Sequence, residues 1–599
     1  MAGGIHVAVL EALAEHSSTI AISVAAIVVA IVVISNVRAS KWAGVPYTVP
    51  VPEQCKPGWE GKVLENPSIK APGSNDIQCY CPASGKFLGF VRPASCADID
   101  AAIAKAAKAQ ASWARTSFDE RRKVLRTLQG YILANQDAIV QASCLDSGKT
   151  RVDAALGEIL VTTEKIKYLL DYGEKALRPE KRPTSFMMVY KKAELRFEPL
   201  GVVAALVSWN YPFHNLLGPI VSSIFAGNGI IVKGSENTAW SSEFYIGIVK
   251  GALSACGHDP NLVQPIMCWP DVAPYLTSHP EIQHITFIGS RLVAHHVASS
   301  AAKNLVPLCV ELGGKDAHII LDDVKNLKSL CSVLMRGVFQ SASQNCIGIE
   351  RIIALPKVYK QLIDILEPRI SKLRLGSAMD EDQVDMGAMI SPASFDKLER
   401  MIKEAVGKGA RCLVGGKRYT NPKFPKGHYF QPTLLVDVTS DMEIAQNETF
   451  APICVLMPAQ NVDEAIKIAN SANFGLGGSV YGKNEAHIDR VVREMKCGMV
   501  AVNDFASFYL NQSLPFGGVR GSGYGRFAGE EGLRDVCNLK SVLVDRWPSL
   551  INTGIPPIVD YPITRSEESW NFTKGLIQFA YGQSFREKTG GIAKLLGNM

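Results

Sequence analysis

Three polar residues have the side-chain types needed to act on a carbonyl group. Cys346 follows small residues in "SASQNC", and a thiol is both a strong nucleophile and a good leaving group from a thioester. Asn210 comes after the apolar run "GVVAALVSW", where its amide can donate to an oxyanion. Glu311 in "VELGGKD" can act as a general base through water. Each residue also has a commoner role: an ordinary free cysteine, a turn-bending asparagine and a surface ion pair.

Two further segments carry residues suited to a nucleotide. In "VKGSE", Glu236 can bind ribose hydroxyls and Lys233 can hold a nucleotide oxygen. In "FIGS", Gly289 permits close approach of the backbone, and Ser290 begins a helix whose N-terminus can face a pyrophosphate. Taken singly, these motifs are equally typical of a solvated turn and an ordinary helix cap.

A third segment, "NETFAP", offers Glu448 and Phe450, a carboxylate and an aromatic ring suited to a ribose and a flat heterocycle. The chain contains no P-loop motif. One G-x-G-x-x-A match, at Gly523, Gly525 and Ala528, follows a Pro-Phe-Gly-Gly loop instead of a strand. It therefore lacks the context of a Rossmann fingerprint.

The elements that must position these residues alternate between strand and helix. The apolar, β-branched pattern predicts strands at 201–209, 229–235, 284–290 and 538–545. Helical patterns are found at 101–135, 219–228 and 291–303, and a second strand-and-helix region runs from about 311 to 515. This alternation predicts an α/β fold with parallel sheets.

Composition narrows the class of protein. The chain has 599 residues, of which 47% are hydrophobic and 20% charged, so we expect a globular protein of two or three domains. A net charge of +6 without a dense basic run argues against a nucleic-acid partner. The 14 cysteines are scattered, which indicates a reducing compartment, and we predict no metal site, not even at Cys79 and Cys81.

The N-terminal region differs from the rest. Residues 17–37 carry no charge and are long enough to cross a bilayer as one helix. A cleaved signal peptide or a buried helix are the alternatives, but no basic residue precedes the run. Arg38 and Lys41 follow it, which places the C-terminal bulk in the cytosol. The sequon at Asn447 adjoins Glu448, where a glycan would be poorly tolerated, and this also disfavours a lumenal enzyme domain.

Three further regions have weaker patterns. Residues 1–16 form a short N-terminal segment, and the proline-rich stretch 38–76 is predicted to be a linker. The C-terminal extension, 549–599, mixes apolar and basic residues. It is typical of a solvated or domain-packed tail, with a membrane-touching amphipathic segment as the alternative.

Taken together, eight motifs resemble the NAD(P)-dependent aldehyde dehydrogenase superfamily: "WNYP", "KGSE", "FIGS", "ELGGK", "SQNC", "ETFAP", "NFGLGG" and "PFGG". They stand in the family's order across about 77–545, and the N-terminal span resembles the membrane-anchored branch found in fungi and plants. The resemblance implies an aldehyde dehydrogenase-like α/β fold with two parallel α/β domains and a small β oligomerisation element, preceded by one N-terminal transmembrane helix. It implies an NAD-binding domain at 77–311, a catalytic domain at 312–516 and a return segment with an oligomerisation strand at 517–548. The segment 181–199 would contribute to oligomerisation.

The resemblance also assigns roles. Cys346 matches the nucleophile, Asn210 the oxyanion donor that acts with the Cys346 N–H, and Glu311 the base that activates water. The cofactor is expected to be NAD, with NADP possible, because a carboxylate at Glu236 repels a 2′-phosphate. The residues matched to cofactor contacts are Trp209, Lys233, Glu236, Gly289, Ser290, Glu448 and Phe450.

Some positions depart from the family pattern without removing a reacting group. Ser208 replaces the usual proline, Ile288 the usual threonine and Ala451 a common glycine. Ala342 and Ser343 stand where the family often has glycine. We expect these changes to reshape the cofactor cleft and the substrate channel.

The expected function is oxidation of a small-molecule aldehyde to a carboxylic acid by a homo-oligomer anchored in a membrane, by default the endoplasmic reticulum. The span motivates the hypothesis that the aldehydes are lipid-derived. Two alternatives remain: a CoA-acylating dehydrogenase and a membrane-tethered scaffold that has kept the fold and lost the chemistry.

Overall fold

The computed structural model describes residues 44–598. The predicted span at 17–37 lies outside these residues. Within the described part of the chain, no helix combines the length and apolar character needed to cross a membrane. The described chain forms two compact units, one of residues 44–176 and 199–536 and the other of residues 177–198 and 537–598.

A six-stranded sheet organises the first half of the larger unit. Its strands run in the spatial order Gly523–Tyr524, Leu308–Glu311, Ile282–Ile288, Val202–Leu206, Gly229–Lys233 and Val263–Ile266. All neighbours are parallel except the first pair. The helices between them are Pro212–Ala226, Ala239–Ala255, Ala273–Thr277 and Arg291–Ala301. The carboxyl ends of parallel strands share one sheet edge, so the residues that follow them are brought together.

Two of these elements differ from the sequence prediction. The strand predicted at 201–209 ends at Leu206, which leaves residues 207–211 as a loop. The helix predicted at 219–228 begins earlier, at Pro212. Proline is suited to the first helical turn because its missing N–H has no partner there.

A seven-stranded sheet organises the other half of the larger unit. Its spatial order is Arg411–Val414, Thr433–Val436, Ile453–Pro458, Arg351–Ala354, Ala317–Ile320, Gly478–Tyr481 and Ala501–Val502. Only the first strand runs antiparallel to its neighbour. The main helices beside it are Leu327–Phe339, Pro356–Ile370, Phe395–Gly407, Val462–Ala469 and Glu485–Glu494. The α/β fold with parallel sheets is therefore confirmed.

The helical region before the first sheet is longer than its pattern predicts. Cys96–Trp113 and Phe118–Ala134 are separate helices, each begun by a capping box, at Ser95 and Ser117. Gln136–Ser147 follows. A further helical run extends over residues 151–176 and contains two π-helical segments, Ala155–Leu160 and Leu169–Gly173.

The proline-rich segment contacts the larger unit instead of forming a free linker. The Val45 N–H donates to Thr127 Oγ1 at 3.0 Å, and the Tyr47 hydroxyl donates to the Ile248 carbonyl at 2.9 Å. The Tyr47 ring also stacks on Tyr131, with the centroids 4.7 Å apart. The aromatic and apolar residues among the prolines supply these contacts. A hairpin of Ile77–Tyr80 and Phe87–Val91 follows.

The smaller unit combines a sheet with a helical hairpin. Its strands are Glu180–Arg182, Lys191–Pro199 and Cys537–Asp545, with the second in the middle. The C-terminal extension forms two packed helices, Ser566–Tyr581 and Phe585–Gly597. The second helix begins with a capping box formed by Ser584 and Glu587.

Candidate active site

A cavity of about 430 Å³ contains the residues predicted to react with a carbonyl group. Cys346, Glu311 and Asn210 all line it, although they are far apart in the sequence. Asn210 follows a strand of the six-stranded sheet, Glu311 ends another, and Cys346 follows the helix Leu327–Phe339. The structure therefore brings together the three side chains that the sequence predicted to act as one site.

The loop that carries Cys346 has an unusual backbone. Ser341, Ala342 and Ser343 have φ values of 55°, 55° and 62°, in the left-handed region that favours glycine. The Gln344 side chain holds this loop, because its Nε2 donates to the Ser341 carbonyl at 3.0 Å. Its Oε1 also accepts the Ile390 N–H at 2.9 Å. These bonds fix the peptide that precedes the cysteine.

Glu311 lies beside the cysteine and is buried. Its Oε1 accepts the Gly313 N–H at 3.1 Å, and both Glu311 and Cys346 line the cavity. Burial raises the pKa of Glu311 to about 7, although the Gly313 N–H and the nearby Cys346 thiol oppose the rise. Burial and then the nearby Glu311 charge raise the pKa of Cys346 well above its ordinary value. The site thus holds a thiol next to a carboxylate that can take up a proton near neutral pH.

Asn210 is oriented by hydrogen bonds to its amide oxygen. Oδ1 accepts from Ser208 Oγ at 2.7 Å and from Asn215 Nδ2 at 3.1 Å, while Nδ2 donates to the Gln344 carbonyl at 3.1 Å. With its oxygen occupied, the amide presents its N–H groups toward the Cys346 loop. Ser208, which departs from the family pattern, supplies one of these orienting bonds.

A buried ion pair lies beneath the Asn210 loop. Lys149 Nζ is 2.7 Å from Glu158 Oε1 and donates to the Asn210 carbonyl at 2.6 Å. Glu158 Oε2 accepts the N–H groups of Phe213 and His214, which start the helix after the loop. The pair therefore fixes the loop and the first turn of the helix together.

A second buried group connects to the cavity through Tyr509, which lines it. The Tyr509 hydroxyl is hydrogen-bonded to His214 Nε2, and His214 Nδ1 is 2.9 Å from Thr162 Oγ1. Burial, with a smaller effect of Lys165, lowers the pKa of His214 to about 3. His214 is therefore neutral at physiological pH and holds the Tyr509 ring in place.

Sequence reasoning missed these supporting residues. Lys149, Glu158, His214 and Tyr509 belong to none of the quoted motifs. The available signal was a charged residue, Glu158, within the otherwise apolar stretch "AALGEILV". A buried glutamate requires a partner, but the sequence does not say which residue provides it.

Glu448 and Phe450 also line this cavity. Glu448 Oε1 accepts the Gly314 N–H at 3.1 Å, and burial raises the pKa of Glu448 well above its ordinary value. The Phe450 ring meets Trp209 edge-on, with the centroids 5.6 Å apart. Glu350 accepts the Phe450 N–H at 3.1 Å and thereby holds the segment between them.

A second cavity, of about 600 Å³, continues from the first, since Trp209, Gly289 and Ser290 line both. It contains the remaining predicted cofactor residues, Lys233 and Glu236, whose side chains form an ion pair at 2.9 Å. Every predicted site residue therefore lines one of two joined cavities.

These residues suit a dinucleotide. The helix Arg291–Ala301 starts at the wall of the second cavity, and its first N–H groups favour an anion. Ser290 occupies the N-cap position, but within the described structure its side chain makes no capping hydrogen bond. Glu236 can accept from ribose hydroxyls, and Lys233 can donate to a nucleotide oxygen. The chemistry of this donor set fits NAD.

The chain matches known proteins over most of its length. The aldehyde dehydrogenase family matches residues 69–542. An aldehyde dehydrogenase-like protein of Saccharomyces cerevisiae is 52% identical, covering 91% of this chain and 86% of the relative. One of Schizosaccharomyces pombe is 55% identical, covering 85% of this chain and 97% of the relative.

Solved structures agree with the sequence relatives. Betaine aldehyde dehydrogenase of Staphylococcus aureus in complex with NAD+ superposes with a TM-score of 0.73 at 26% identity. The match covers 81% of this chain and 95% of the bacterial one. The chain therefore belongs to the aldehyde dehydrogenase family, and it is an NAD(P)-dependent oxidoreductase that acts on aldehydes.

Proposed function

We propose that the chain is a membrane-anchored aldehyde dehydrogenase that oxidises its aldehyde to a carboxylic acid by a hydrolytic route. The observation that carries this proposal is that the buried Glu311 carboxyl and the Cys346 thiol line one cavity, close enough for the Glu311 charge to raise the pKa of the thiol. A base in that position can serve both the thiol and a later water molecule.

In the first half of the reaction, Cys346 Sγ bonds to the aldehyde carbon and the thiol proton passes to Glu311. The oxyanion that forms is stabilised by Asn210 Nδ2 and the Cys346 N–H. NAD, when bound, accepts the hydride that leaves the former aldehyde carbon. The C–O bond then regains its double bond, and the product on Cys346 is a thioester.

Before the second half, Glu311 releases the thiol proton to solvent and is ionised again. It takes a proton from water as the water oxygen attacks the thioester carbonyl. The same donors stabilise the second oxyanion, the C–S bond breaks as the proton on Glu311 passes to Cys346 Sγ, and the carboxylic acid leaves. Per turnover, one aldehyde, one NAD+ and one water give one acid, one NADH and one proton.

NADH formation by the purified full chain tests this mechanism. We expect turnover of an aldehyde without CoA in the wild type and in Cys412→Ala, a control at another half-buried cysteine. Cys346→Ala should form no NADH, because it lacks the nucleophile. Turnover only with CoA would move the protein to the acylating class, and NAD binding without turnover would favour the scaffold.

The membrane link is proposed from residues 17–37, which the structure does not describe. We infer a single-pass anchor in the endoplasmic reticulum with the catalytic part in the cytosol, and a homo-oligomer paired through the strand Cys537–Asp545. The test is extraction of membranes with alkaline carbonate. Val28→Arg combined with Val32→Arg should release the chain, at a cost of about 2.5–3.5 kcal/mol for each charge, whereas Glu11→Arg should not. Release of the wild type would contradict the anchor.

A further inference from the structure

Apolar side chains form the part of the first cavity that neither the cofactor residues nor the reacting groups occupy. Some come from the helical run before the first sheet and others from the loop region around residue 510. The members of this apolar wall are Leu156, Leu160, Val161, Phe505, Leu510 and Phe516.

Burial along the apolar wall changes from the cysteine toward solvent. Phe516 and Val161 are buried, with 2% and 5% of their surfaces exposed. Leu156, Leu160 and Leu510 are 39%, 38% and 41% exposed. Leucines left partly in water at a cavity opening cost free energy unless something apolar covers them during function.

The local helix geometry aims this wall at the cavity. Leu156 and Leu160 lie on the π-helical segment Ala155–Leu160, and π-helical turns inside α-helices are frequent at functional sites. Gly157 lets the segment approach closely, since a Cβ there would lie 2.2 Å from the Tyr211 ring. Val152, one helical repeat earlier than Leu156, is 56% exposed and extends the apolar stripe outward.

Two polar side chains on this side of the cavity have protein partners. Arg336 Nη1 is 2.7 Å from Asp153 Oδ1, and the Tyr509 hydroxyl is bonded to His214. Both bonds hold these side chains against the protein beside the apolar wall. An alkyl or other apolar chain fits this surface without leaving a polar group unpaired.

We propose that the substrate is an aldehyde with an extended apolar tail, which lies along the apolar wall while its carbonyl carbon meets Cys346. This inference rests on the proposed function for the reaction and adds the substrate class. Leu156, Leu160 and Leu510 hold the outer part of the tail, and Val161 and Phe516 hold the part nearest the carbonyl.

The first test is a series of linear aldehydes from propanal to decanal with the full chain, kept below concentrations at which they aggregate. We expect kcat/KM to rise about threefold to fourfold per methylene, which corresponds to ~0.8 kcal/mol for each buried CH₂. A flat or falling series with active propanal would overturn the tail inference and leave the proposed function intact.

Variants test whether the apolar wall causes the dependence of kcat/KM on chain length. Leu160→Asp should lower the ratio of kcat/KM for decanal to that for propanal at least tenfold, because a carboxylate opposes the tail. Leu160→Asn should give a smaller drop and serves if the aspartate variant does not fold. Leu133→Asp is the matched control: Leu133 is 52% exposed on Phe118–Ala134 and does not line the cavity. An equal ratio in Leu160→Asn and Leu133→Asp would contradict the proposal.

A readout independent of turnover separates this inference from the proposed function. Iodoacetamide labelling of Cys346, followed by peptide mass spectrometry, reports occupancy of the cavity. Decanoate should protect Cys346 at a concentration at least tenfold below that of propanoate. If no aldehyde supports NADH formation, the proposed function fails, and the labelling alone tests whether an apolar tail lies along the wall. Equal protection by the two acids would overturn that inference.

Discussion

Four buried glutamates in the larger unit fall into two groups that differ in their bonding partners. Glu158 and Glu350 each face a lysine, with Lys149 at 2.7 Å and Lys315 at 2.6 Å. Both also accept backbone N–H groups, and both thereby hold a loop that carries site residues. Their task is to fix the backbone, and a buried charge pair with further hydrogen bonds does so.

Glu311 and Glu448, which line the cavity, have no such partner. Within residues 44–598 neither forms an ion pair, and each accepts one backbone N–H, from Gly313 or Gly314. Burial consequently raises the pKa of both, to about 7 in Glu311. This protein therefore pairs the carboxylates that support the site with lysines and leaves the carboxylate that must exchange a proton without a cation.

The largest expected effect comes from Glu311→Gln. The amide cannot take a proton from water, so kcat should fall about 10²–10⁴-fold. The amide cannot take the thiol proton either, so that proton must pass to water, and rapid-mixing measurements should show a slowed burst of one NADH per site followed by a still slower phase. A fall in kcat without that burst would contradict the role given to Glu311. The same loss of kcat in Glu60→Gln, at an exposed position, would also contradict it.

The next effect concerns the supporting pair. Lys149→Met leaves the Glu158 charge buried and removes the bond to the Asn210 carbonyl. We expect the free energy of unfolding to fall by about 3–5 kcal/mol, measured by denaturant titration followed by circular dichroism.

Arg400→Met is the matched control for that variant. It removes an ion pair with Glu443 in which the arginine side chain is 58% exposed. Such a pair contributes less than about 1 kcal/mol. Equal losses in the two variants would show that the buried pair has no special part in holding the site.

The smallest expected effect is a dependence of the hydrolysis rate on pH, which distinguishes Glu311 from the lysine-paired glutamates. Hydrolysis needs ionised Glu311, and its raised pKa of about 7 means that the base is lost as pH falls through that value. The rate of thioester hydrolysis in the wild type should therefore rise about tenfold per pH unit below 7 and level off above about 8. This rise with pH should be absent in Glu311→Gln. A wild-type profile that levels off near pH 5 would place the pKa of Glu311 at its ordinary value.

The sequence was sufficient where a motif follows a strand. Glu311 and Asn210 were found because glycines or a turn follow a strand there, and strand ends meet at one sheet edge. Cys346 follows a helix and was found from the small residues that precede it. The parallel sheets followed from alternating apolar patterns. The roles of these residues remain predictions that the experiments above test.

Other features depend on contacts between distant segments, which no local pattern carries. Lys149 lies in the loop after Gln136–Ser147 and Glu158 on the π-helical segment Ala155–Leu160, and no local pattern shows that the two side chains pair. Tyr47 lies in a proline-rich stretch that the composition indicated to be a linker, but its ring stacks on that of Tyr131. The helix start at Pro212 was misplaced because Pro219 within the helix looked like a beginning.

The left-handed turn before Cys346 has an evolutionary consequence. Ser341, Ala342 and Ser343 each hold a backbone shape that costs an L-residue roughly 1–2 kcal/mol and costs glycine little. A glycine codon is one nucleotide away from any alanine codon and from two of the serine codons. At Ala342 the gene therefore has a one-nucleotide route to glycine, and a lineage under heat stress could follow it without altering any reacting group.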